Sequence, residues 1–338
     1  MHVFLYEWVT GGGLVNEGGR LPDSLLAEGS AMVSALAEDF LNLEDSHVTV
    51  LRDLRLESPT FKGCEVVEVH SGTHRDDLLE EYATTADFTL AIAPEFDRQL
   101  ELSVSILQSG DSRSLNALPE FLGIAANKRQ TAEKLREFEI PVPESTLHAA
   151  DEERLPRDFS YPAVLKPIDG AGSQHTLLIE GHLDAPEPHP WPRLLERFIP
   201  GRPASVLFIC GPNGTTALPP CWQRLCDSGR FAYLGGSIIM QKSLAERAQQ
   251  LALRALAALP PANGFVGVDL VLGEAEDGSG DYVIEINPRL TTSYVGLRKV
   301  VKENLAGLAI KAAKNELISV TQRDVPLEFT SDGNANLL

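Results

Sequence analysis

The chain has 338 residues, 43% of them hydrophobic and 23% charged, so it is long enough for two or three domains with a large core. It carries 29 Lys and Arg against 48 Asp and Glu, and this net charge of −19 argues against nucleic acid or an anionic membrane as a general partner. The sequence contains neither an apolar run as long as a membrane span nor a basic N-terminal export signal, so we expect a cytoplasmic protein.

The first third of the chain predicts a small parallel sheet. Residues 2–8, 48–51, 66–69 and 88–93 are apolar and short, as strands are, and we expect helical stretches between them. Gly11, Gly12 and Gly13 follow the first strand, where they form either a flexible loop or a set of backbone N–H groups lining a substrate site. An NAD fingerprint is disfavoured because the third glycine of that motif is missing. Glu95, after the fourth strand, either contacts substrate or caps a helix.

The middle of the chain predicts a phosphate-binding region. A helix opens near Lys128, and the strand over residues 161–167 carries Lys166 among apolar neighbours. That lysine either meets a ligand or reaches out to water. Gly170, Ala171, Gly172 and Ser173 follow; this loop lacks the GK[ST] of a P-loop, and its glycines favour a flexible backbone that closes over phosphates.

The rest of the chain predicts further strands, a helix over residues 243–259, a helix over 305–317 and a frayed tail over 330–338. The stretch 194–201 leads from a strand into a turn and contains Glu196, which either serves the site or is simply exposed. Arg224 and its neighbour Gln223 are equally consistent with a solvated strand. The four cysteines form no paired CxxC motif, so we interpret them as reduced thiols rather than zinc ligands.

Two predicted strands near the C-terminus, residues 267–272 and 282–288, carry the most specific pattern. Side chains alternate along a strand, so Glu285 and Asn287 share one face, Ile284 points the other way, and Asp269 can join the two on the neighbouring strand. Oxygen ligands of this kind suit Mg²⁺ shared with phosphates, whereas the alternative is a pair of salt-bridged strand ends. Arg289 follows at the rim, where negative charge could develop.

The order of these motifs resembles the ATP-grasp superfamily over about residues 115–315. The resemblance implies an α/β protein, α+β in the grasp part. A Rossmann-like substrate domain at 1–114 would precede a small subdomain with the lid at 115–190, a metal-binding subdomain at 191–320 and a tail at 321–338. It places ATP between antiparallel sheets.

The resemblance also implies roles for individual residues. Lys128 and Lys166 would contact ATP phosphates, and Glu196 would accept from the adenine amino group. The backbone of Arg197, Phe198 and Ile199 would form the hinge beside the adenine.

The metal site that the resemblance implies uses Asp269, Glu285 and Asn287 for Mg²⁺, with Mn²⁺ as an alternative, and Arg289 would face the acyl phosphate. The sequence departs from the family pattern at two positions: Pro203 stands where many members have a ribose-binding acid, and Gly267 where some have an arginine.

A narrower resemblance links the chain to the branch that contains tyramine–glutamate ligase. It rests on Phe4-Leu5-Tyr6-Glu7 before the glycine run, on Trp222-Gln223-Arg224 and on Tyr233-Leu234-Gly235-Gly236. It implies an ADP-forming carboxylate–amine ligase that works through an acyl phosphate, in one-carbon cofactor biosynthesis. The alternatives are an ATP-grasp carboxylase or kinase, and a nucleotide-binding protein without catalysis.

The partners expected from this resemblance are a small-molecule carboxylate and an amine. Their site should lie between the Gly11–Gly13 loop, Glu95 and the loop containing Thr292 and Ser293, with Arg224 as a further candidate. The sequence identifies neither substrate and leaves the oligomeric state open, a homodimer being one option.

Overall fold

The computed structural model describes residues 1–170 and 172–338, so Ala171 of the predicted lid lies outside the described residues. The first part of the chain forms a five-stranded parallel sheet in the order β3-β2-β1-β4-β5. Its elements are β1 (His2–Glu7), α1 (Asp23–Leu41), β2 (His47–Asp53), β3 (Glu65–Val69), α2 (Gly72–Thr85), β4 (Phe88–Ile92), α3 (Gln99–Leu107) and β5 (Arg113–Ser114).

One predicted feature of this sheet is wrong. No helix connects β2 to β3: residues 54–64 form turns and irregular backbone. Arg55 anchors this segment by donating to Asp53 at 2.7 Å and to the carbonyl oxygen of Leu14 at 2.7 Å. The Arg55 side chain thus links this loop to the end of β2 and to the glycine-rich turn after β1, in a connection that contains no helix.

Two helices lead into a four-stranded antiparallel sheet in the order β6-β9-β7-β8. The elements are α4 (Pro119–Ala125), α5 (Lys128–Glu137), β6 (Ser145–His148), β7 (Ala163–Pro167), β8 (Leu177–Ile179) and β9 (Arg193–Arg197). This sheet has its own small core, which includes Ala163, Leu165 and Leu195, all fully buried. One face therefore packs inward while the other is free to line a cleft.

The third sheet has eight strands, with β15-β14-β10-β12-β13-β16-β17 as its path and β11 paired to β10. Its elements are β10 (Arg202–Gly211), β11 (Gly214–Ala217), β12 (Cys221–Leu225), β13 (Tyr233–Ile238), α6 (Lys242–Ala257), β14 (Gly264–Leu272), β15 (Tyr282–Asn287), α7 (Tyr294–Val300), α8 (Leu305–Ala313), β16 (Leu327–Thr330) and β17 (Ala335–Leu337). A parallel sheet followed by two antiparallel sheets is the predicted fold class, which is confirmed.

The frayed tail predicted over residues 330–338 is wrong. β16 and β17 form a hairpin, and β16 continues the eight-stranded sheet by pairing antiparallel with β13. Leu327 and Phe329 are 1% and 2% exposed, so alternate side chains of β16 fill the core. A Cβ on Gly236 would come within 2.9 Å of the Phe329 ring, so glycine is needed where the hairpin docks.

The first domain and the eight-stranded sheet share one core. Leu36 of α1 is buried in the same apolar cluster as Leu297 of α7. Beside it, Asp39 of α1 accepts from the Tyr294 hydroxyl at 2.6 Å and from Arg298 Nε at 2.9 Å. Within the described residues, no helix has both the length and the apolar character to cross a membrane.

Candidate active site

A cavity of about 650 Å³ lies between the two antiparallel sheets. Val164 of β7 and Leu178 of β8 line it from the four-stranded sheet, and Leu270 of β14 and Ile284 of β15 line it from the eight-stranded sheet. The cavity is thus a cleft with apolar walls, wide enough for a nucleotide, into which a few polar groups converge.

On the four-stranded side, Lys166 and Glu196 form a buried ion pair. Lys166 Nζ donates to Glu196 Oε1 at 2.7 Å, and the side chains are only 6% and 7% exposed. Burial raises the pKa of Glu196, although the charge of Lys166 opposes the shift. The alternatives of a water-exposed Lys166 and an exposed Glu196 are therefore wrong. A role for Glu196 toward adenine stays a prediction, and one of its oxygens is engaged by Lys166.

Lys128 connects the lid to the opposite wall of the cleft. It opens α5, whose N-terminus is capped by Asn127 Oδ1 accepting from the Gln130 N–H at 3.0 Å. Lys128 Nζ donates to the carbonyl oxygen of Gly170 at 2.9 Å and lies 3.4 Å from Glu285 Oε2. The cap thus holds the lysine where it faces both Gly170 and Glu285 of β15.

On the eight-stranded side, Asp269 of β14 pairs in register with Glu285 of β15. Asp269 accepts from Gln223 Nε2 at 2.9 Å and from Asn287 Nδ2 at 3.0 Å. Burial and the nearby charge of Glu285 raise the pKa of Asp269 to about 7. Burial also disfavours ionised Glu285, but the charges of Lys128 and the other cleft cations outweigh it and lower its pKa.

These oxygen donors fit a hard cation. Asp269 receives only neutral hydrogen bonds from side chains, and it lies beside a second carboxylate in a buried site, an arrangement that a divalent ion would stabilise. Asp269, Glu285 and Asn287 are the residues that would hold Mg²⁺.

The strict alternation predicted for β15 is wrong at one residue. The register shifts after Asp269, where Leu270 pairs with Val283, so Ile284 is an extra residue in β15. Ile284 therefore lines the cavity next to Glu285 instead of pointing away from it. A bulge of this kind re-aims side chains, and it adds apolar surface beside the acids.

Arg289 lies at the end of the cleft beyond β15. Its Nε donates to Glu95 Oε1 at 2.8 Å, and the two side chains are 11% and 4% exposed. The Glu95 side chain makes no capping hydrogen bond to the short helix Phe96–Arg98, so the cap alternative is wrong. Glu95 instead holds Arg289, which lines the cavity, whereas Glu95 does not.

The lid reaches across the cleft. Ser173 Oγ donates to the carbonyl oxygen of Phe231, in the turn between β12 and β13, at 2.8 Å. Gly170 and Gly172 have φ of 131° and 68°, values that favour glycine. Both line the cavity together with Ser173. Glycine is thus required where the loop folds over the cleft.

The predicted hinge has fewer free donors than expected. The N–H of Arg197 donates to Glu144 O at 2.8 Å, and that of Phe198 to Pro162 O at 3.0 Å. The Arg197 side chain donates to the Tyr282 hydroxyl at 3.0 Å. Among the described residues, the N–H of Ile199 donates to no backbone carbonyl, and Ile199 lines the cavity.

The two departures from the family pattern have a structural reading. Pro203 lines the cavity and offers no polar side-chain atom. At Gly267, a Cβ would lie 2.5 Å from Thr291 Cγ2, so an arginine does not fit at this position.

Of the predicted substrate residues, the structure places Arg224, Thr292 and Ser293 along the cavity. The glycine run does not line it: a Cβ on Gly11 would meet the Tyr6 ring at 2.9 Å, and one on Gly13 the Trp8 indole at 2.4 Å. These glycines permit close packing of the loop on β1.

Among the lining residues that sequence reasoning missed is Glu28 of α1. It accepts a hydrogen bond at 3.2 Å from Thr292, a residue 264 positions away in the sequence. No local motif in α1 distinguishes Glu28 from the other acids of that helix.

Comparisons with known proteins agree with this geometry. A family model described as ATP-grasp domain matches residues 125–293, and one described as pre ATP-grasp 3 domain matches residues 46–121. The tyramine–L-glutamate ligase of Methanocaldococcus jannaschii is 27% identical over 87% of this chain and 85% of its own length. That of Methanocaldococcus fervens is 25% identical over 93% and 94%. The crystal structure of an ATP-grasp superfamily protein from Archaeoglobus fulgidus has a TM-score of 0.70 at 24% identity, covering 97% of this chain and 92% of that one.

Proposed function

The chain belongs to the ATP-grasp family, and we propose that it is an ATP-dependent, ADP-forming ligase that joins a carboxylate to an amine. The observation that carries the proposal is the pairing of opposite walls across one cleft. Lys166 and Lys128 lie on the side of the four-stranded sheet and the lid, and Asp269 and Glu285 face them from the eight-stranded sheet. Cations on one side and metal-binding oxygens on the other are what a triphosphate needs.

The first step forms an acyl phosphate. A carboxylate oxygen of the substrate attacks the γ-phosphorus of ATP, the bond from that phosphorus to the β–γ bridging oxygen breaks, and ADP leaves. Lys128, Lys166 and Arg289 face the charge that spreads over the transferred group, so this chain contributes mainly positioning and electrostatics. Mg²⁺, when bound, would neutralise further phosphate charge.

The second step forms the amide. The amine nitrogen attacks the carbonyl carbon of the acyl phosphate, and the tetrahedral intermediate expels inorganic phosphate as the C–O bond breaks and the nitrogen loses its proton. The bond between Ser173 and Phe231 supports a lid that closes during this step. A closed lid would keep water from hydrolysing the acyl phosphate.

The substrates are the finer part of the proposal. The relatives named tyramine–L-glutamate ligase make glutamate and tyramine the first pair to test, and a place in one-carbon cofactor biosynthesis would follow from that pair. The overall identity of 27% leaves room for other amino acids and amines. The chemistry of the cleft supports transfer of a phosphoryl group to a substrate, and the names of the relatives suggest which substrates to test.

An ADP-release screen of amino acids against amines, with mass spectrometry of the product, tests the proposal. We expect release only when a carboxylate and an amine are both present, with an amide as product. The control is Glu285→Gln, which keeps the side chain but removes an anionic metal ligand and should abolish turnover. ADP release with bicarbonate or an alcohol, without an amide, would instead identify a carboxylase or a kinase, and near-normal release by Glu285→Gln would reject the metal assignment.

A further inference from the structure

The first domain contributes a single side chain to the cleft. Within residues 1–170 and 172–338, Glu28 is the only cavity-lining residue that comes from the part of the chain before α5. It lies on α1, so a helix of the parallel-sheet domain brings one carboxylate to the wall formed by the loop after β15.

This carboxylate has no cationic partner in the described part of the chain. Its hydrogen bonds come from neutral hydroxyls, Thr292 Oγ1 at 3.2 Å and Ser24 Oγ at 3.4 Å. In contrast, Glu196 and Glu285 each lie within ion-pair distance of a lysine. Burial raises the pKa of Glu28 even though Arg289 is near enough to oppose the shift. A cation supplied by a ligand would remove this penalty.

Three carboxylates, those of Glu95, Glu28 and Glu285, lie near Arg289 at this end of the cleft. The guanidinium of Arg289 is already paired with Glu95 at 2.8 Å, and Glu28 and Glu285 also lie within its electrostatic reach. Lys128 offsets the charge of Glu285 and Arg289 that of Glu95, so Glu28 is the carboxylate at this end without an ion-pair partner among the described residues. A cationic group of a substrate fits such surroundings better than a neutral or an anionic one.

We propose that Glu28 binds the protonated amino group of the amine substrate, so the ligase takes a cationic primary amine, which releases one proton to solvent before its nitrogen attacks the acyl phosphate. This assignment rests on the proposed function, because it concerns the second substrate of the same cleft. The hydroxyl of Thr292 holds the Glu28 carboxylate in place, and Arg289 marks the neighbouring position for the acyl phosphate. The amine therefore approaches from the side of the first domain.

The test compares Glu28→Gln and Glu28→Asp with a matched control, Asp23→Asn. Asp23 lies on the same helix, its side chain is 72% exposed, and its substitution removes the same charge. Each full-length protein is assayed twice with ATP and glutamate, once with tyramine and once with hydroxylamine. Hydroxylamine is largely uncharged at neutral pH and traps the acyl phosphate as a hydroxamate.

We expect Glu28→Gln to raise the KM for tyramine by roughly 10- to 100-fold, the effect of losing a charged hydrogen bond. The rate of hydroxamate formation and the kcat with tyramine should stay within about threefold of the values for Asp23→Asn. The KM of Glu28→Asp for tyramine should fall between those of the wild type and Glu28→Gln. If Glu28→Gln behaves like Asp23→Asn, or loses both activities equally, the assignment is wrong while the proposed function stands. If no carboxylate–amine pair in the screen, glutamate and tyramine included, makes the wild type release ADP, both the assignment of Glu28 and the proposed function are overturned.

Discussion

The ion pair between Lys166 and Glu196 allows two roles of Lys166 to be tested separately: neutralising a buried carboxylate and binding a nucleotide. Both side chains are almost fully buried, so removing one partner leaves the other uncompensated. We expect Lys166→Met to lower the free energy of unfolding by about 3 kcal/mol, and the double change Lys166→Met/Glu196→Gln to recover most of that loss. Chemical denaturation of the nucleotide-free proteins measures these unfolding free energies.

Affinity for ATP should behave differently in the same proteins. Lys166 faces the cleft, so both variants that lack it should bind ATP at least about tenfold more weakly, whether or not stability is restored. Calorimetric titration with an ATP analogue checks this. A double variant that regains both stability and affinity would show that Lys166 serves only to pair with Glu196.

Glu7 should give the protein a characteristic dependence of stability on pH. Burial raises the pKa of Glu7 to about 7, although its carboxylate accepts from the N–H groups of Thr10 at 2.7 Å and Val9 at 3.2 Å. The folded protein therefore holds a proton on Glu7 between about pH 4.5 and pH 7 that the unfolded chain has released. Stability consequently falls as pH rises through this window.

We expect the unfolding free energy of the wild type to fall by roughly 2 kcal/mol from pH 5 to pH 8 relative to Glu7→Gln, which lacks the titrating group. Taking the difference between the two proteins cancels the other groups that titrate in this range. Glu44→Gln, at an exposed position, is the control and should follow the wild type. Parallel curves for wild type and Glu7→Gln would contradict the assignment.

At the scale of elements, the C-terminal hairpin is part of the scaffold of the cleft. β16 pairs with β13, whose neighbour β12 carries Gln223, the residue that donates to Asp269. Phe329 is 2% exposed, and it packs where Gly236 and Gly296 leave room for its ring. The hairpin therefore extends the sheet beside β12, the strand whose Gln223 holds the buried Asp269.

Replacing Phe329 with Ala should open a cavity in this core and lower the free energy of unfolding by about 3–4 kcal/mol. Leu337→Ala is the matched control, since that leucine lies in the partner strand of the hairpin and is 63% exposed; it should cost less than about 0.5 kcal/mol. Denaturant titration of the two variants checks both values. Equal, small losses would mean that the hairpin is not integrated into the sheet.

How much the sequence predicts depends on whether the signal is local. The strands that carry Lys166 and Glu285 follow from short apolar runs, and the helix that begins at Lys128 from its capping residue, Asn127. The bulge at Ile284 could not be predicted, because it is a property of the pairing with β14 and not of β15 alone. The tail could not be predicted for the same reason: the surroundings that bury Phe329 come from other elements, among them Gly236 of β13 and Gly296 of α7.

The site is limited in the same way. Local motifs point to Asp269 and Asn287, but nothing near Glu95 or Glu28 in the sequence reveals their partners. Arg289 lies 194 residues from Glu95, and the ion pair exists only because the first domain packs against the end of β15. Contacts between residues of different domains can be identified only once the fold is known.

At the scale of the whole molecule, helix α1 links the packing of the two parts to the chemistry of the cleft. Glu28 lies in its N-terminal half and faces the cavity, and Asp39 lies near its C-terminal end. Asp39 accepts from Tyr294 and Arg298 of α7 and, through its backbone oxygen, from Asn304 Nδ2 at 2.7 Å. These bonds fix α1 against the eight-stranded sheet, so they also fix the position of Glu28.

Asp39→Ala should therefore reduce both stability and use of the amine. Arg298 is 9% exposed, and losing its buried partner should lower the free energy of unfolding by about 3–5 kcal/mol, measured by denaturation. Glu38→Ala is the matched control, because Glu38 also pairs with Arg298 but is 61% exposed and should contribute below about 1 kcal/mol.

In the folded fraction, Asp39→Ala should raise the KM for the amine several-fold more than it changes hydroxamate formation, since α1 supplies Glu28 while Lys128, Lys166 and Asp269 lie on other elements. A parallel loss of both activities would show that α1 positions the whole cleft rather than its amine-binding end.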